Sequence, residues 1–301
     1  MRVRAETRRL IEPLAGGRPG ATVTVEPLKV GEFQVPPAYL EGAKRFTTAR
    51  MLGIGVPRSK WHWIPVQAFA IRHPSAGVFL VDTGLHPSVV DKPAENLGRA
   101  VASFGKPRLA AGEDLPSRLR AEGVDPKGIR LVVMTHMHFD HTSAMSEFAG
   151  ATFIVSEEEW TAASTDPRPF MRGYRPAHYD YAFDYRTLSY DSDKVTSYAS
   201  FGRTFDLFGD GSVRLASTPG HTAGHQSVIC RLADRDLVIA GDAVYTFAQL
   251  EGGAEPPRPV DLHNWRRSLR ELQLFARNYP QAVIIPGHDP QLFDRLEKRY
   301  A

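Results

Sequence analysis

The stretch 135–141, THMHFDH, gathers His136, His138 and His141 with Asp140 in one short run of a chain that has eleven histidines. In an extended segment, residues two apart point the same way, so His136 and His138 can chelate one ion while Asp140 and His141 turn toward a second position. Three more residues of the same donor types stand apart in sequence: His221 in TPGHTAGHQ, Asp242 in GDAVY and His288 in IPGHD. Together they predict two sites built of nitrogen and oxygen, with Asp242 left over to bridge them. Such donors suit two divalent transition-metal ions, zinc first and iron, cobalt or manganese as alternatives. Two ions about 3.5–4 Å apart lower the pKa of a shared water toward neutrality, which yields a metal-bridging hydroxide nucleophile without any serine or cysteine.

These residues need elements that bring them together. LVVMT precedes His136, VRLASTPG precedes His221, LVIAG precedes Asp242 and VIIPG precedes His288, so each donor stands just beyond a strand-like apolar run. Strand ends on one edge of a sheet can converge on a point. VQAFAIRH and GVFLVDTG read as a hairpin joined by a Pro-Ser-Ala-Gly turn. LPSRLRAEGVDP reads as a short helix ending at Gly123, TSAMSEFAG as a helix closed by Gly150, TFIVS as a strand and EEEWTAAS as a helix. SVRLAST, QSVICRL and DLVIAGD read as three further strands. LHNWRRSLRELQLFARNYP is the clearest helix, with Trp265, Leu269, Leu272 and Phe275 at helical spacing and Asn278 and Pro280 at its exit. A C-terminal helix is expected after AVIIPGHD. The stretch from about 165 to 208, dense in Pro, Tyr and Phe, reads as an inserted surface loop. The Arg-rich opening MRVRAETRRL reads as a solvated terminus.

Hydrophobic residues make up 42% and charged residues 24% of the 301, the composition of a globular protein with ample length for a core. The formal net charge is +3 and no Lys/Arg block is dense enough to suggest nucleic acid. No apolar run reaches the length of a membrane span, and the first thirty residues lack the apolar stretch of a secretory signal. The one cysteine, Cys230, excludes a disulfide framework and fits a reducing cytoplasm, which is the expected location.

From about residue 22 to 300 the chain resembles the metallo-β-lactamase superfamily, on VDTG at 81–84, THMHFDH, TPGHTAGHQ, GDAVY and PGHD in that order. The resemblance implies an α/β fold, an αββα sandwich of two mixed β-sheets flanked by helices, with the site at one edge. The expected organisation is an N-terminal leader, 1–21, and a single hydrolase domain, 22–301, carrying the insertion. The resemblance assigns His136, His138 and His221 to the first metal, Asp140, His141 and His288 to the second, and Asp242 to both. It makes Asp82 a residue that orients a histidine ligand. His225 is expected to be no ligand, and His62, His73, His86, His178 and His263 to be structural or superficial.

Within that superfamily, diiron flavoproteins typically carry Glu where this chain has His138, and the commonest zinc β-lactamases carry Cys where it has Asp242. Asp242 followed by Tyr245 looks like the N-acyl-homoserine lactonases, and the resemblance implies a lactone or ester as the small-molecule partner. It gives Tyr245 and Asp140 catalytic roles: Tyr245 donates to the lactone carbonyl, and Asp140 passes a proton to the departing ring oxygen. HTSAMSEF departs from the subgroup, which usually shows Ala or Thr followed by glycines. Aromatics in WHWIP, with Phe33 and Phe46, are candidates for lining an acyl pocket, with buried core as the plainer role. A homodimer is left open as the assembly. The alternatives are a glyoxalase-II-like thioester hydrolase, an iron-dependent persulfide dioxygenase and a non-catalytic binding protein.

Overall fold

The computed structural model describes residues 3–42, 47–256 and 259–301. Along them run β1 (Thr7–Arg9), β2 (Thr24–Val35), β3 (His62–His73), β4 (Gly77–Val81), β5 (Pro107–Arg108), β6 (Leu131–Val133) and β7 (Thr152–Ser156). There follow β8 (Asp184–Leu188), β9 (Thr196–Tyr198), β10 (Phe201–Asp206), β11 (Val213–Ser217), β12 (Gln226–Arg231), β13 (Asp236–Gly241) and β14 (Val283–Pro286). One sheet has the order β1-β8-β7-β6-β4-β3-β2-β5, the other β14-β13-β12-β11-β10-β9.

Alternation along the strands decides which face meets which layer. Phe69 and Ile71 of β3 and Phe79 and Val81 of β4 pack against Val228 and Cys230 of β12 and Leu237 and Ile239 of β13, forming the core between the sheets. The intervening Val66, Ala68 and Ala70 face Leu115 and Leu119 of the helix Leu115–Ala121 on the outer side. On the second sheet, Ile229, Val238 and Ala240 face Leu272 and Phe275 of the helix Leu262–Asn278. The result is the expected αββα sandwich of two mixed sheets.

Strand direction places the site. β4 and β6 run parallel, as do β13 and β14. β11 is antiparallel to β12, which is antiparallel to β13, so β11 shares the direction of β13. Asp82, His136, His221, Asp242 and His288 therefore all follow the C-terminal ends of strands that point to one edge.

Four local readings change. TSAMSEFAG is not one helix: the short turn Phe139–Thr142 ends at its first residue, the Ala144 N–H then bonds to Gly84 O instead of continuing the helix, and a 3-10 turn, Met145–Phe148, follows. The C-terminal helix is a single turn, Leu292–Arg295. The stretch 165–208 is not a surface loop: it contributes β8, paired to β7, and the β9–β10 edge of the second sheet. Short strands between Pro- and Tyr-rich turns leave too few residues to show alternation. The Arg-rich opening also differs, because β1 pairs parallel with β8 and Leu10 is buried between the sheets, while Arg8 and Arg9 stay exposed. Three hydrogen bonds tie the next residues down: Leu14 N–H to Leu207 O, Arg18 N–H to Asp210 and Ser75 Oγ–H to Gly16 O.

The sequence reading passed over β2, whose run is interrupted by Pro27 and Gly31. Gly31 takes φ +114° at the register shift against β3, a conformation that L side chains avoid. Trp61 and Phe33 are buried, as core aromatics should be, and Phe46 lies outside the described residues. No helix among the described residues is long and apolar enough to cross a membrane.

Leu10→Ala removes a buried side chain from the intersheet core and should cost about 2–4 kcal/mol. A shift of the denaturation midpoint measures it; an unchanged midpoint would show the segment to be detachable.

Candidate metal centre

Asp82 closes β4 with φ +58°, an unusual backbone for a side-chain-bearing residue. Its carboxylate takes three donors: Thr135 N–H at 2.8 Å, Thr135 Oγ–H at 2.7 Å and His141 Nδ1–H at 2.7 Å. The Thr135 hydroxyl donates to Asp82, so at 3.1 Å it can only accept from His136 Nδ1–H. One carboxylate thus fixes the tautomers of two imidazoles, directly for His141 and through Thr135 for His136. Both leave Nε2 free to face the site. His288 is set the same way, its Nδ1–H donating to Pro65 O at 2.9 Å. His138 lays its Nε2 side along the Arg172–Gly173 backbone, where a Cβ on Gly173 would press into the ring.

The inward atoms converge. His138 Nδ1 lies 3.0 Å from His221 Nε2, which lies 3.2 Å from Asp242 Oδ2; His136 Nε2 is 3.7 Å from that oxygen. The other Asp242 oxygen, Oδ1, is 3.2 Å from His288 Nε2 and 3.5 Å from His141 Nε2. Asp140 Oδ2 stands 3.4 Å from His288 Nε2. His136, His138, His221 and Asp242 thus form one donor group, and Asp140, His141 and His288 a second, with Asp242 turned toward both. His136 Nε2, His141 Nε2 and Asp242 Oδ1 are buried without a hydrogen-bond partner among the described residues. Buried polar atoms are nearly always paired, so converging unpaired lone pairs fit divalent cations, and the imidazole and carboxylate donors are those zinc takes.

The two groups differ in charge. Burial drives the pKa values of His136 and His221 well below the ordinary imidazole value and that of His138 to about 4. At His141, burial opposes charge but Asp82, Asp140 and Asp242 outweigh it, and the pKa rises well above the ordinary value. His288 behaves alike, pushed up to about 10 by Asp242 and Asp140 against burial. The pKa of Asp242 falls well below the carboxylate range: burial would raise it, and His288, His141 and His221 prevail.

His225 is no part of either group. Its Nε2 accepts the Asp242 N–H at 3.0 Å, and Nδ1 meets Thr218 Oγ at 2.9 Å. The bonds continue from Thr218 to Ser227 Oγ at 2.9 Å and on to Ala240 O at 3.0 Å, so His225 sets the backbone that presents Asp242. Tyr245 is half-buried, with its hydroxyl 3.2 Å from His221 Nδ1. Three other histidines are occupied elsewhere, His73 with Asp210 and Ser212, His86 with Glu147 and His62 with Glu41, and His263 is exposed on the surface. His178 is the exception to a purely peripheral role, since it meets Thr142 Oγ, which donates to His138 O.

The sequence reading missed three residues around the centre. Thr135 sits inside the quoted motif, and only the direction of its hydroxyl gives it a role. Gln67 Nε2 donates to Pro286 O and Gly287 O, fixing the turn before His288, but on its strand it reads as one polar residue among apolar ones. Glu159 reads as one of three glutamates opening a helix, yet it is fully buried.

The sequence profile of the metallo-β-lactamase superfamily matches residues 62–288. The chain belongs to that superfamily. Over 237 residues it is 31% identical to the N-acyl homoserine lactonase AttM of Agrobacterium fabrum, covering 78% of this chain and 86% of that protein. It is 27% identical over 285 residues to the N-acyl homoserine lactonase AiiB of the same organism, covering 90% and 95%. The fold is shared, at TM-score 0.72 and 19% identity over 94% of this chain and 98% of the other, with an N-acyl homoserine lactone hydrolase solved with N-hexanoyl-L-homoserine at its catalytic metal centre.

Metal ligands must be deprotonated, so zinc added to metal-free protein at neutral pH should displace protons, chiefly from His141 and His288. Affinity should fall as pH falls, because protons compete for those nitrogens. Calorimetry in buffers of different ionisation enthalpy measures the release; none at all would contradict the raised pKa values. His288→Ala should reduce binding from about two ions per chain to about one, counted by metal analysis.

Proposed function

We propose that this protein is a metal-dependent hydrolase that opens the ring of N-acyl homoserine lactones, with zinc as the resident ion. The observation that carries the reading is the Tyr245 hydroxyl held against His221, beside the convergent imidazole and carboxylate donors. The chain's similarity to AttM and AiiB supports the choice of lactone over thioester.

His136, His138 and His221 would hold one ion, Asp140, His141 and His288 the other, and Asp242 would present an oxygen to each. Bound divalent ions supply Lewis acidity and a water acidic enough to act as nucleophile near neutral pH. The remaining work belongs to side chains. With His221 Nε2 facing the donor group, its Nδ1 carries the proton and donates to the Tyr245 oxygen, which leaves the phenolic O–H free. Tyr245 donates that proton to the lactone carbonyl oxygen as negative charge develops there. The Asp140 carboxylate, buried beside His288, accepts a proton from the attacking water and returns it to the ring oxygen as the C–O bond breaks. Phe139, the residue before Asp140, packs edge to face on the buried Phe33, ring centroids 5.3 Å apart. A cytoplasmic location fits the single buried thiol, Cys230.

Tyr245→Phe should keep both ions and lower lactone turnover by about ten- to a thousandfold, the range for losing one preorganised donor at a developing oxyanion. The measurement is hydrolysis of a panel of lactones, thioesters and phosphoesters by metal-analysed wild type and variant. Turnover within about threefold of wild type, at most about 0.7 kcal/mol in the barrier, would reduce Tyr245 to a packing residue. Faster thioester than lactone hydrolysis by the wild type would remove the lactonase reading.

A further inference from the structure

Glu159 donates nothing to either group of metal-ligand candidates, and it is not on the surface. It stands in the first turn of the helix Glu157–Thr165, fully buried. Ser156-Glu-Glu-Glu159 is spelled as a capping box, in which the glutamate returns to the backbone N–H of the capping serine. Half of that motif forms, with Ser156 Oγ accepting the Glu159 N–H at 3.1 Å. The carboxylate leaves its helix instead. Oε1 accepts the Met137 N–H at 2.9 Å, and Oε2 accepts the Gly224 N–H at 3.1 Å.

These partners belong to two different loops. Met137 lies between His136 and His138, and Gly224 lies three residues beyond His221. Ser156 reinforces the second link, its hydroxyl donating to the Gly224 carbonyl at 2.6 Å. The Tyr174 backbone pairs with that of His138, on the same loop as Met137. The approach is so close that a Cβ on Gly224 would collide with Ser156 Oγ and the Glu159 backbone. Gly224 has no positive φ, so close approach, not backbone freedom, is what demands glycine there.

We propose that Glu159 is a positioning residue that locks the loop of His136 and His138 to the loop of His221, and so sets the spacing of the imidazoles that receive one ion. The inference rests on the metal-centre reading above. Two N–H groups from separate loops need two acceptors on one rigid group, which a carboxylate offers. A glutamine offers one acceptor and turns an NH2 group toward the other N–H.

The test compares wild type, Glu159→Gln, Glu159→Ala and Glu158→Gln, an exposed neighbour on the same helix. Zinc affinity is read by chelator competition, ligand geometry by the visible spectrum of the cobalt-substituted protein, and stability by melting with and without metal. Glu159→Gln should weaken binding of one of the two ions by about 10- to 100-fold, as expected for a group that orients ligands, and alter the cobalt spectrum. Glu159→Ala should weaken it further, while Glu158→Gln should match wild type. A merely structural role would lower both melting temperatures equally and leave affinity and spectrum unchanged, and that result overturns the proposal. If Glu159→Ala does not fold, the nearly isosteric Glu159→Gln decides alone. A wild type that binds no zinc would overturn the metal-centre reading itself, whereas a zinc-binding wild type with an equally tight Glu159→Gln overturns only the role of Glu159.

Discussion

The contact on which the centre depends is the one between Asp82 and its three donors. The backbone at Asp82 lies in the left-handed region, which costs a side-chain-bearing residue about 1–2 kcal/mol. That conformation turns the carboxylate back over the end of β6, where it meets Thr135 and His141. The charge-assisted bonds formed there offset the strain and fix two ring tautomers. Without them each imidazole could present either nitrogen, and the lone pairs would not converge.

Every other contact at the edge extends the same logic to a further strand. Pro65 O on β3 holds His288, and Gln67, two residues along, holds the turn that delivers it. His225 holds the backbone of Asp242, and Glu159 joins the two loops that carry His136, His138 and His221. The Glu159 carboxylate, the Thr135 hydroxyl and His225 Nε2 are paired within the chain, whereas His136 Nε2, His141 Nε2 and Asp242 Oδ1, which face the site, are buried without a hydrogen-bond partner among the described residues.

The electrostatics divide the centre in two. Burial keeps His136, His138 and His221 neutral, while the carboxylates around His141 and His288 favour their protonated forms. Cations would replace those protons, so the negative charge of Asp82, Asp140 and Asp242 serves protonated imidazoles or metal ions alike. Burial, helped by the charge of Asp242 and Asp140, raises the Tyr245 phenol pKa well above its ordinary value and keeps the hydroxyl a donor.

The donor residues were legible in sequence because metal chemistry admits few residue types, and because each follows an apolar run whose period marks a strand. The sandwich was legible for a related reason: β3, β4, β7 and β11–β14 are buried strands bounded by turn residues, and the helix Leu262–Asn278 keeps its period over many turns. Thr7–Arg9 and the strands within 165–208 were not legible, since three to six residues among arginines, prolines and tyrosines carry no period of their own. Only their partners across the sheet decide that they are strands. The same holds at the site. That His136 and His288 bear donor nitrogens is a property of the residues, but which nitrogen faces inward depends on Thr135 and Pro65. Glu159 shows the limit most clearly: its local spelling calls for a helix cap, and tertiary contact with Met137 and Gly224 sends the carboxylate elsewhere. Hydrogen bonds between distant segments have no sequence period, so they exist only once the strands have brought the loops together.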